Sequence, residues 1–170
     1  MKKDIKQLLP EILEIPWEKF SYYQVEQLPG PVKRYFRHVL KEGQRSIHRA
    51  AVTHGGLFRT GETSEWLPIE GEEYFTAWPP GFVWYGRVKL IPFVWVQARD
   101  RYIHGRGDLN IKLLSMVKVK GLSGPEIDQG TLLRWLTEAV WFPTALLPSE
   151  YLCWEYVIVK NLWKNGRDTT

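Results

Sequence analysis

The chain of 170 residues has a single cysteine, Cys153. One thiol excludes an intramolecular disulfide and any zinc centre built on cysteines. Cys153 itself reads as a small buried hydrophobe. Long apolar runs are missing too: no uninterrupted stretch approaches the ~18 residues of a spanning helix. Residues Met1 to Trp17 are broken by Asp4, Pro10, Glu11 and Glu14, so they lack the apolar centre of a signal peptide. A soluble, cytoplasmic protein is expected. Internal repeats and low-complexity segments are absent, as are a Gly-x-Ser-x-Gly elbow and a His-Glu-x-x-His pair. Gly105-Arg106-Gly107 is followed by strand pattern rather than a helix, which argues against a dinucleotide site. Arg106-Gly107-Asp108 reads as a hairpin turn.

Aromatic residues, by contrast, are abundant: nine Trp, eight Tyr and seven Phe. Such residues favour strands and large apolar surfaces. The net charge of +4 is mild and requires no anionic partner. On the segment from Pro31 to Gly43, the aromatic residues Tyr35 and Phe36 share a face with Val32, Val39 and Leu40. Lys33, Arg34, Arg37 and Lys41 occupy the other face. This separation describes a solvated amphipathic helix and not a nucleic-acid surface.

The domain reading is an N-terminal helical extension over 1–27, one β-rich domain over 28–160 and a frayed tail over 161–170. Residues 2–15 read as an amphipathic helix interrupted by Pro10. Period-two alternation then predicts strands at Ser46–Phe58, Glu72–Trp78, Gly81–Leu90, Phe93–His104 and Asp108–Lys120, with a last one at Tyr151–Lys160. Short connections imply an antiparallel meander.

The longest helical pattern follows, with Asp128 as N-cap and Pro143 ending it near Phe142. Leu132, Leu133, Leu136, Ala139 and Val140 form its apolar face. Arg134, Glu138 and Trp141 make a second stripe. Arg134 and Glu138 read either as an exposed i,i+4 ion pair or as groups holding the polar end of a ligand. Trp135 and Trp141 widen the apolar surface, so the helix is expected to be embedded on most sides. His48 and His54 share strand parity and His104 lies near Asp108, but no tight metal-ligand pair results, so they read as hydrogen-bonding histidines and no metal is expected.

Several blocks resemble a bacterial family of unknown function, the DUF6544/DUF6920-type proteins. They include Leu28-Pro29-Gly30-Pro31-Val32-Lys33-Arg34-Tyr35-Phe36, His54-Gly55-Gly56-Leu57-Phe58-Arg59, Pro80-Gly81-Phe82-Val83-Trp84, and Leu132 through Pro148. The resemblance covers about residues 28 to 155 and implies a curved antiparallel sheet packed on helices, half-barrel-like in the manner of lipoprotein carriers. It implies no activity or cofactor. Family members continue with further strands past the position of Trp154, so the resemblance also implies C-terminal truncation.

The combined expectation is a β-rich α+β domain with the Asp128–Phe142 helix against a curved antiparallel sheet. Its leading function is non-catalytic binding of a lipid-like or other apolar molecule. Trp84, Trp95, Trp135 and Trp141 supply the walls of a cavity; Arg99, Arg134 and Glu138 hold a polar head. No cofactor is expected. The alternatives are a hydrolase-type enzyme using Asp100, His104, Arg134 and Glu138, and an interaction protein whose sheet edge pairs with another strand, as in a homodimer.

Overall fold

A computed structural model describes residues 2–9 and 18–155. Six strands form one antiparallel sheet in sequence order: β1 (Arg49–Phe58), β2 (Leu67–Thr76), β3 (Gly81–Ile91), β4 (Val94–Ile103), β5 (Arg106–Leu113) and β6 (Val117–Ser123). The sheet is open and not closed into a barrel. Helices α1 (Lys2–Leu8), α2 (Gly30–Val39) and α3 (Pro125–Glu138) accompany it. The architecture is β-rich α+β, as expected.

Two differences have local causes. The single strand expected over Asp108–Lys120 is a hairpin, β5 and β6, reversed at Leu114 and Ser115. Both take positive φ, 50° and 62°. Without Gly or Asn at the reversal, sequence offered no turn signal. The neighbouring reversal falls on His104 and Gly105, at φ 51° and 78°. Arg106-Gly107-Asp108 therefore lies in β5 and not in a turn. The expected strand from Tyr151 is not formed over 151–155, and 156–160 lie outside the described residues. Likewise residues 10–15 of the N-terminal pattern lie outside them.

Strand parity sorts the sheet into two faces. The inner face meets α3. At one end of the sheet Phe75, Phe82 and Tyr102, cross-strand neighbours on β2, β3 and β4, form its buried floor. Trp135 stacks on Phe75 at 5.5 Å and its indole N–H donates to the Thr76 carbonyl at 3.0 Å. This bond satisfies the one polar atom of a fully buried tryptophan. Phe20, Val25, Phe36 and Leu40 complete the same core. On the outer face, α1 packs Leu8 against Val83, Tyr85 and Ile103.

The N-cap of α3 falls four residues earlier than expected. Gly124 is its N-cap and Pro125 opens the first turn, so Asp128 is inside the helix. Asp128 instead accepts from the Gly107 backbone N–H at 2.7 Å, tying the helix to β5. The α-helix ends at Glu138 and a 3-10 turn runs on through Trp141. Its buried stripe is Thr131, Trp135 and Ala139; Leu133 and Val140, expected in the apolar face, are exposed. Cys153, expected to be buried, is exposed as well.

Candidate functional site

One turn of α3 separates Arg134 from Glu138, and both point toward the inner face of the sheet. Beneath them runs a cross-strand row one step out from the aromatic floor: Glu73 on β2, Trp84 on β3 and Asp100 on β4. Arg134 Nη1 donates to Asp100 Oδ2 at 2.7 Å and Nε donates to Glu138 Oε1 at 2.9 Å. Nη2 stands 3.6 Å from Glu73 Oε1. The guanidinium also lies over the rings of Phe82 and Trp84, 4.7 and 5.2 Å from their centroids. One cation is thus held between three carboxylates and two π faces.

Three carboxylates exceed what one guanidinium neutralises. Glu73 is the deepest and yields first. Burial, reinforced by a hydrogen bond to Glu138, pushes its pKa up to about 8, with Arg134 opposing. Glu73 therefore keeps its proton at neutral pH and can donate it to Glu138. Asp100 Oδ1 has no hydrogen-bond partner, and neither Glu73 Oε1 nor Glu138 Oε2 has one without that shared proton. The cluster has spare acceptors and a committed cation. The opposing pulls leave Arg134 with a raised pKa: burial lowers it, but Glu138, Glu73 and Asp100 outweigh that.

A second row step brings His54, Gly71, Gly86 and Ala98 into line. A Cβ on Gly71 would strike the His54 ring, and one on Gly86 the Trp84 ring. Gly86 makes room for the Trp84 ring lying along β3, and Gly71 for the His54 ring reaching across from β1. Those rings are parallel within 2°, and Trp84 Nε1 donates to His54 Nε2 at 2.8 Å. With Nε2 accepting, the imidazole proton sits on Nδ1. Ile111 extends this row beside Ala98, and further out are Ile69, Val88 and Val96; all four are half-buried and outside both core clusters.

Of the residues expected at a site, Trp84, Arg134, Glu138 and Asp100 come together. Trp135 lies under them in the core, and Trp141 points outward, 61% exposed. Arg99 and Trp95 do not join the group. Their odd positions in β4 place them on the outer face, opposite Asp100. There Arg99 pairs with Asp4 at 3.3 Å and with Asp108, and Trp95 donates to Ser115 Oγ at 3.2 Å. His104 is exposed in its turn, and His48 packs on Trp78. Among the described residues no group of His, Cys, Asp or Glu is arranged to hold a metal.

Glu73 went unrecognised in the sequence, although a signal was there. Glu73, Phe75 and Ala77 share one parity, which sets an acid on a face otherwise apolar. Arg134 lines none of the four cavities described. Those lie beside Trp78 and Tyr151 (530 Å³), Trp95 (340 Å³), Asp4 and Arg99 (180 Å³), and Arg101 and Asp128 (570 Å³).

The model of a family of unknown function, DUF6544, matches residues 18–161. The chain belongs to the DUF6544 family. The match takes in all six strands, α2, α3 and every residue of the Arg134 cluster, so the cluster sits within the family domain. No curated protein and no solved structure matches the chain. No helix among the described residues is long and apolar enough to cross a membrane.

Proposed function

We propose that the inner face of the sheet binds, without chemical change, a molecule with an apolar body and a head group rich in hydrogen-bond donors. The observation supporting this is continuity. The apolar strip of Ile69, Val88, Val96, Ala98 and Ile111 leads directly to the Arg134 cluster. Apolar side chains on that strip gain free energy from a covering apolar body, at about 25 cal/mol per Å². At its end, Asp100 Oδ1, buried and without a hydrogen-bond partner, would accept from a hydroxyl or ammonium group that inserts beside the Arg134 cluster. An anionic head is disfavoured, because Arg134 is already engaged by carboxylates. The test is calorimetric titration with a long-chain alcohol, amine and carboxylic acid of equal length. The reading requires the amine or alcohol to bind at least tenfold tighter than the acid. Equal affinities, or no binding of any, contradict it.

A second reading rests on Glu73 alone. A carboxyl that titrates near 8 beside the carboxylate of Glu138 is suited to general acid–base work of the hydrolase type. That reading requires turnover of an ester or glycoside panel, with one limb of the pH profile moved by Glu73→Asp. An inert panel removes it.

A further inference from the structure

In a meander taken in sequence order, β1, β3 and β5 end where β2, β4 and β6 begin, so three chain reversals line one rim of the sheet. Each displays apolar side chains to solvent. Leu57, Phe58 and Trp66 flank the first reversal; Leu90, Ile91 and Phe93 form the second; Met116, Val117 and Val119 the third. Nine of the fifteen exposed large hydrophobic side chains among the described residues lie on this one rim. Scattered exposure needs no explanation, but concentration on successive fingertips does.

Phe93 is the most pronounced case. It is 90% exposed, and its φ of 67° lies in the region that bulky residues avoid. Glycine would relieve that backbone, and the phenyl ring packs nothing in the core. Met116, 77% exposed, occupies the matching place on the next reversal. The charges nearby are mostly basic, with Glu70 on β2 set opposite Arg87. Arg87, Lys89, Lys112, Lys118 and Lys120 border the second and third reversals with no acid in either segment. The first reversal differs, setting Glu62 and Glu65 against Arg59.

We propose that this rim docks on the surface of an anionic lipid bilayer. Phe93, Met116 and their neighbours enter the headgroup layer, Trp66 sits at its boundary, and Lys89 and Lys120 face lipid phosphates. The rim is a row of separate tips spread over five strand spacings, roughly 24 Å at ~4.8 Å each. A row of projecting tips suits a deformable, flat, negatively charged surface. The proposal stands on the rim alone and holds whatever the inner face binds.

The test is cosedimentation of the full chain with phosphatidylcholine vesicles containing phosphatidylserine, and with phosphatidylcholine vesicles alone. The expected result is binding to the anionic vesicles, weakened by salt. Lys89→Gln and Lys120→Gln should each weaken it about fivefold. The pair Phe93→Ser and Met116→Ser should reduce it about tenfold or more, while Tyr23→Ser, an exposed change beside Val25, leaves it unaltered. Three results overturn the proposal. They are no binding of wild type to anionic vesicles, binding indifferent to Phe93→Ser and Met116→Ser, and vesicle-independent self-association that those changes dissolve.

Discussion

Arg134 Nη1 meets Asp100 Oδ2 at 2.7 Å, joining α3 to the middle of the sheet across 34 residues of sequence. The same guanidinium holds Glu138 on its own helix and approaches Glu73 on β2. It therefore balances charge for three elements at once. Arg134→Ala leaves one buried and two largely buried acids without their cation, and a loss of about 3–5 kcal/mol is expected in denaturant unfolding. Adding Glu73→Gln and Asp100→Asn to that variant should recover part of the loss, because it removes the acids left unpaired.

The pH dependence follows from Glu73. In the unfolded chain its carboxyl titrates near the ordinary 4.5, and in the folded chain at about 8. Between those values the folded state binds the extra proton, so stability falls as pH rises through the window. Glu73→Gln has no such proton to lose. Denaturant midpoints of the two proteins should differ little below about pH 4.5, and the variant should be the more stable near pH 9. A constant difference across that range would show that Glu73 titrates normally.

Helix α3 rests on β5 at Gly107, where any side chain would collide with Thr131 Oγ1 and, at 2.6 Å, with the Ile127 carbonyl oxygen. The second contact is backbone and cannot swing aside. Gly107→Ala is expected to cost about 1–3 kcal/mol by thermal unfolding. Gly130→Ala, on the same helix with open space around it, should be neutral or mildly stabilising.

On the outer face, α1 is held by Asp4. Its carboxylate accepts from the Tyr85 hydroxyl, from Arg101 at 2.8 Å and from Arg99 at 3.3 Å. Burial opposes ionisation there, but these donors outweigh it and keep the Asp4 pKa below the ordinary 3.8. The contribution of Asp4 is thus present above that value and lost as pH falls below it. Asp4→Ala should expose residues 2–9 to faster amide exchange at neutral pH while leaving exchange in β4 and β5 slow.

Much of this organisation was legible beforehand because it follows from periodicity. Alternation marked the strands that carry Trp84 and Asp100, and helical spacing placed Arg134 beside Glu138. What sequence could not settle was which strand face met the helix. Arg99 and Trp95 differ from Asp100 only in parity, and β4 is apolar on both faces at its start. Opposite parity was enough to send them to the outer face. The β5–β6 reversal was missed because Leu114 and Ser115 adopt positive φ with ordinary side chains. Glu73 was overlooked because an acid in a strand usually marks the solvent side, whereas here Arg134 draws it inward.

The central claim, that the inner sheet face holds an apolar molecule headed by the Arg134 cluster, is tested most directly by native mass spectrometry of gently purified protein, followed by organic extraction. Wild type and Ala98→Trp, which places a bulky ring on the apolar strip, are compared. The account predicts a stoichiometric adduct on wild type, with an amine or hydroxyl head, and its loss in Ala98→Trp. An apo protein that acquires no adduct from a lipid extract, or an adduct indifferent to Ala98→Trp, would contradict it.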